Sequence, residues 1–126
     1  MKAMKKVLLI LCLHLAVASF VSPVNEIVKA LNTGNAGQLS KYFDNYIELT
    51  IDDRTASYSK VQAEMIIRNF FNTHDVKSYT SLNITTNTTR QYYLGTLLTN
   101  NGNYQVSVLV SQIGGKQLIQ QLSFDK

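Results

Sequence analysis

The stretch SKVQAEMIIRNFFNTH, residues 59–74, decides the fold. Ala63, Ile66, Ile67, Phe70, Phe71 and His74 fall at i, i+3, i+4, i+7, i+8 and i+11, one broad apolar face of an α-helix. Ser59 and Gln62 have capping-box spacing, so the helix starts there. Two phenylalanines on that face suit a helix laid across a sheet.

The residues after His74 supply the sheet. Four segments, roughly 77–86, 90–99, 103–113 and 116–124, are rich in Val, Ile, Leu, Thr and Tyr and contain no proline. Their links carry turn chemistry. Asn87-Thr88-Thr89 is polar, Asn100-Asn101-Gly102-Asn103 suits a tight turn with positive φ, and Gly114-Gly115 suits a two-residue hairpin. Tyr104, Val106, Val108 and Val110 share one face of the third segment. The four segments are expected to form an antiparallel meander.

The residues before the helix complete the plan. Ser22-Pro23 reads as a cap followed by proline at the first helical position. Val24, Ile27, Val28 and Leu31 then form an apolar stripe that Asn32-Thr33-Gly34-Asn35 stops. A short second helix, about residues 36–43, presents Leu39, Tyr42 and Phe43. Both helices are too short to stand alone and must pack on something larger. Residues 46–52 alternate, with Ile47, Leu49 and Ile51 opposite Tyr46, Glu48 and Thr50, as in a half-buried strand. Asp52-Asp53-Arg54 breaks it, and Thr55–Tyr58 adds a further short strand. The order is an α+β plan with helices over one face of the sheet. A long strand run beside one covering helix tends to curl and leave a cavity.

That order resembles the nuclear transport factor 2-like (cystatin-like) fold, a cone of helices against a curved antiparallel sheet. More narrowly, the chain is similar to the small exported bacterial proteins called domain of unknown function 4783. The stretches that carry the resemblance are Ile27-Val28-Lys29-Ala30-Leu31, Gly34-Asn35-Ala36 and Leu39-Ser40-Lys41-Tyr42-Phe43-Asp44. They continue with Tyr58-Ser59-Lys60-Val61-Gln62-Ala63, Phe70-Phe71, Tyr93-Leu94-Gly95 and Leu118-Ile119-Gln120-Gln121-Leu122. Each is a packing or turn pattern. The resemblance implies a fold and export, and no activity or functional residues come with it.

The N-terminus points the same way. Lys2, Lys5 and Lys6 precede an apolar run from Val7 to Val17, and Ala16-Val17-Ala18 is a small-x-small cleavage pattern. The run is shorter than the roughly 20 residues of a membrane span. Residues 1–18 are expected to be a signal peptide cleaved after Ala18, with Ser19 and Ser22 as alternative positions, and 19–126 as a single domain. The mature form is then exported, periplasmic or extracellular, with no membrane span. The 126-residue chain carries +4, but the leader holds three of its 12 basic residues and none of its eight acids. The mature domain is nearly neutral at +1. Cys12, the one cysteine, and His14 leave with the leader, so His74 is the remaining histidine. Disulfides, thiolate zinc sites and a histidine pair for metal are thereby excluded. The dispersed mature charges exclude a nucleic-acid partner.

Candidate chemistry is sparse. Asp52, Asp53, His74 and Asp75 are possible acids or bases, with Tyr42, Tyr58, Tyr79, Tyr92 and Tyr93 as donors. His74 sits at a helix C-terminus, where histidine commonly caps carbonyls, and it forms no evident dyad with Asp75. Asp52 and Asp53 read as a solvated turn whose side chains do not converge. The seven tyrosines fit half-buried strands and can also line a pocket. If a cavity forms, Ile67, Phe70, Phe71, Tyr92, Tyr93 and Tyr104 are its expected lining. The resulting expectation is an exported, non-enzymatic domain. It would bind a small apolar or amphipathic ligand, or a protein partner, through the cavity or the outer sheet face without a cofactor, and pair as a homodimer through the exposed sheet face by analogy. The alternative is a small hydrolase, isomerase or dehydratase with an acid or base inside the cone.

Overall fold

A computed structural model describes residues 23–87 and 89–126. The expected leader, its cleavage point and Ser22 lie outside the described residues. In chain order the elements are α1 (Val24–Thr33), α2 (Ala36–Ser40), β1 (Phe43–Ile51), β2 (Arg54–Ser59), α3 (Lys60–His74), β3 (Val76–Thr86), β4 (Arg90–Thr99), β5 (Gly102–Ile113) and β6 (Lys116–Asp125). The six strands make one sheet in the order β2-β1-β6-β5-β4-β3. The meander β3 to β6 is antiparallel throughout, and the β1–β2 hairpin docks on it through a parallel pairing of β1 with β6.

Each helix follows local rules. In α3 the Ser59 hydroxyl accepts from the Gln62 N–H at 3.3 Å and the Gln62 side chain accepts from the Ser59 N–H at 3.3 Å, a complete capping box. Ala63, Ile67, Phe70 and Phe71 are buried against the sheet. In α1, Ile27, Ala30 and Leu31 are buried while Val28 is only half-buried, so the stripe lies slightly round the helix from the expected one. Pro23 occupies the N-cap position rather than the first turn, and no side chain caps that end among the described residues. Gly34 closes α1 at φ 62°, and a Cβ there would press on Val76.

Two boundaries differ from the sequence expectation. The second helix ends at Ser40 rather than near 43, and β1 begins at Phe43 rather than 46. The cause is non-local. Phe43 pairs with Ile119, and the Ile119 N–H donates to the Tyr42 carbonyl at 2.6 Å. The register shifts between Phe43 and Glu48, which is why strand alternation starts only after the irregularity.

The concave face of the sheet carries the core. Ile47, Leu49, Tyr79, Tyr93, Leu97, Tyr104, Val106, Val108, Ile119, Leu122 and Phe124 are all buried there beneath the helices. Phe124 sits between Phe70 and Phe71, with ring centroids at 4.7 and 6.0 Å. Tyr79 lies flat over Gly95, where an added Cβ would overlap its ring, and its hydroxyl donates to the Val106 carbonyl at 3.2 Å. Burial pushes the Tyr79 phenol up to about 12.

Candidate functional site

The cone is not filled along its whole length. Between the C-terminal half of α3 and the β1–β2 hairpin lies a cavity of about 320 Å³. Leu49 and Ile51 of β1, Tyr58 of β2, and Ile66 and Phe70 of α3 form its apolar and aromatic walls. Asp52, Arg54, Asn69, Thr73 and His74 supply its polar groups.

The hairpin register explains the strand side. Ile47, Leu49 and Ile51 pair with Tyr58, Ala56 and Arg54, so those three β2 residues share the concave face. Thr50 and Thr55 pair on the opposite face, their hydroxyls 2.8 Å apart. The turn itself is Asp52-Asp53, with φ 49° and 65°. This is the double positive-φ geometry of a two-residue hairpin loop, which aspartate tolerates better than most side chains. Asp52 lines the cavity and Asp53 does not, so the two carboxylates do not converge, in line with the sequence expectation.

On the helix side, Ile66, Asn69, Phe70 and Thr73 form a second stripe beside the one packed on the sheet. His74 ends it. The His74 Nδ1–H donates to the Phe70 carbonyl at 2.8 Å, and Nδ1 lies 3.0 Å from the Thr73 hydroxyl. Its ring stacks on Phe70 at 4.0 Å and meets Tyr104 edge-on at 5.3 Å. The imidazole is therefore a helix-end cap that also forms part of the cavity wall.

Two opposite charges at this rim are uncommitted. Among the described residues, the Arg54 guanidinium and the Asp52 carboxylate make no hydrogen bond or ion pair, with each other or with anything else. The Asp52 backbone N–H does donate to the Phe124 carbonyl at 3.3 Å, which pins the turn to the end of β6. Burial raises the Tyr104 phenol above its ordinary value, and the Asp52 charge raises it further. The Asp52 carboxylate thus acts on the concave side of the turn. Among the described residues no group of three or more His, Cys, Asp or Glu side chains is arranged to hold a metal.

Of the six residues expected to line a cavity, Phe70 does so. Ile67, Phe71, Tyr93 and Tyr104 are buried in the core. Tyr92 is exposed on the outer face, where it borders a shallow depression of about 220 Å³ with Glu48, Leu109 and Gln121. Asp52, Tyr58 and His74, named from the sequence as acid, base or donor candidates, meet at the cavity, whereas Asp75, Tyr42 and Tyr79 do not reach it. Arg54, Asn69 and Thr73 carried no expectation. Arg54 is two residues from Asp52 on an alternating hairpin, and Asn69 and Thr73 are one helical turn apart. Those spacings are the only local signals that could have found them. A depression of about 450 Å³ along α1 and α2 is larger, but Ala30 is its one apolar lining residue.

Helices over the concave face of a curved, mainly antiparallel sheet, with a cavity at one end, define a nuclear transport factor 2-like domain. Residues 24–125 match the family described as domain of unknown function DUF4783, and the chain belongs to that family. It is similar to the crystal structure of a DUF4783 family protein from Bacteroides uniformis ATCC 8492. The identity is 27% and the TM-score 0.79, over 81% of this chain and 94% of that one. A DUF4783 family protein from Bacteroides fragilis YCH46 gives 28% identity and a TM-score of 0.77, over 80% and 95%. An NTF2-like protein of unknown function from Cytophaga hutchinsonii shares the fold, at 16% identity and a TM-score of 0.62 over 86% and 94%. No match was found among the curated proteins.

Proposed function

We propose that this is an exported, non-enzymatic binding domain that holds a small amphipathic molecule in the cavity between α3 and the β1–β2 hairpin. The observation that carries the reading is the cavity's composition. It has apolar and aromatic lining from Leu49, Ile51, Tyr58, Ile66 and Phe70, with a few polar groups contributed by both the hairpin and the helix. Such a wall with a few placed polar groups is the usual make-up of a small-molecule site. Export rests on the basic, apolar and small-x-small order of residues 1–18. Among residues 23–87 and 89–126, no helix is long and apolar enough to cross a membrane.

The second reading, acid–base chemistry, is favoured by His74 and Asp52 lining the same space as Tyr58. Against it, the Phe70 carbonyl holds the Nδ1 proton and leaves Nε2 as the one basic nitrogen, and no nucleophile or acidic side chain is hydrogen-bonded to Nε2 among the described residues. The geometry supplies a held ring but no nucleophile or acid within hydrogen-bond reach of its free nitrogen among the described residues.

The chain contains no tryptophan, so an indole probe can be excited selectively. Indole itself, neutral and largely apolar, should bind with a change in its emission. Ile66→Phe, which fills the cavity from a half-buried position, should abolish that change while the fold stays intact by circular dichroism. Indole binding that survives Ile66→Phe would sink the reading.

A further inference from the structure

From the two uncommitted charges we infer that the ligand is zwitterionic: a free α-amino acid with a large apolar side chain. Its carboxylate would meet Arg54, its ammonium Asp52, and its side chain the Leu49, Ile66 and Phe70 wall. This rests on the cavity-binding reading above and deepens it.

The signs of the two charges select the ligand. Arg54 and Asp52 border the same cavity, and neither is paired with the other or with another side chain among the described residues. A monoanion entering the cavity gains from Arg54 and is opposed by Asp52. A monocation meets the reverse. A neutral ligand gains from neither charge, both of which are exposed to water. A molecule carrying both charges on one carbon satisfies both residues at once, each through a charge-assisted hydrogen bond. The planar guanidinium fork of Arg54 matches a carboxylate. Asn69 and Thr73 add neutral polar groups from the helix side, and His74 stacks on Phe70 to complete an aromatic wall. The cavity, about 320 Å³, is of the size used for small ligands.

Four probes with one indole body separate the possibilities: L-tryptophan, N-acetyl-L-tryptophan, L-tryptophanamide and N-acetyl-L-tryptophanamide. They carry both charges, the negative one, the positive one and neither. Each is titrated into the purified protein and read by indole fluorescence, excited at the long-wavelength edge of indole absorption where the tyrosines contribute little. Tryptophan should bind about tenfold more tightly than either singly charged probe. Arg54→Gln should remove its advantage over the amide, and Asp52→Asn its advantage over the N-acetyl form. N-acetyl-tryptophan binding as well as tryptophan would overturn the inference in favour of an anion site. The amide binding as well would overturn it in favour of a cation site. Four equal affinities, all lost in Ile66→Phe, would overturn it while leaving the cavity reading intact. Loss of indole binding as well, in the unmodified protein, would mark failure of the cavity reading itself.

Discussion

Two neighbouring faces of α3 meet the rest of the fold in different ways, and the contrast accounts for the molecule. Along one stripe, Ala63, Ile67, Phe70 and Phe71 are buried against Phe124 and its neighbours, and the cone is sealed. Along the adjacent stripe, Ile66, Asn69 and Thr73 face the β1–β2 hairpin across an open cavity. The same helix is thus a core element on one side and a cavity wall on the other, with Phe70 belonging to both. The difference lies in what faces the helix. The meander offers large concave side chains, whereas β2 offers Ala56 and the polar Arg54 opposite Leu49 and Ile51. A small and a charged residue cannot fill the space that Phe124 fills in the sealed half.

The sharpest break between the halves is a pair of truncations. Phe124→Ala in the sealed half should cost about 3–5 kcal/mol, because close packing around it leaves a cavity that cannot collapse. Ile66→Ala in the open half should cost only about 1 kcal/mol, since its side chain already borders empty space. Urea denaturation of both variants checks the ratio, and equal losses would mean that the two stripes are not distinct.

The next effect is alkaline. Tyr79 is buried in the sealed half, with its phenol raised to about 12 from 10.0. Above pH 10 the unfolded chain gives up this proton while the folded one keeps it. Stability is therefore complete below pH 10 and declines as pH rises towards 12, by about 2–3 kcal/mol for this group. The difference between wild type and Tyr79→Phe in urea midpoints from pH 9 to 12 isolates it. A smaller loss, about 1–3 kcal/mol, is expected for Gly95→Ala, which forces the Tyr79 ring off the strand. Thermal melts would read it. Arg54→Gln, at the open rim, should change stability by less than about 0.5 kcal/mol, because the side chain is exposed and makes no bond among the described residues.

Much of the fold was legible because its signals are local. The capping box at Ser59 and Gln62, the positive-φ glycines at 102, 114 and 115, and the period-two run from Tyr104 to Val110 each fix an element from its own residues. The parallel docking of β1 on β6 was not legible. It depends on Phe43 meeting Ile119, a contact with no trace in either segment alone. The site divides in the same way. Alternation makes Tyr92 and Tyr93 face opposite sides, but only the packed sheet turns Tyr93 inward. Asp52, Tyr58 and His74 were recognisable as chemically capable groups. Their meeting with Arg54 required the hairpin to be placed against the end of α3, which no spacing in the chain encodes.

The central claim is that the open half of the cone is the binding surface and the sealed half is scaffold. Backbone and methyl NMR during titration with indole tests it most directly. The account predicts shifts concentrated at Leu49, Ile51, Ile66, Phe70 and Thr73, with Tyr79, Val108 and the outer-face Tyr92 unmoved. Shifts centred on Tyr92, Leu109 and Gln121, or spread evenly over the sheet, would contradict it.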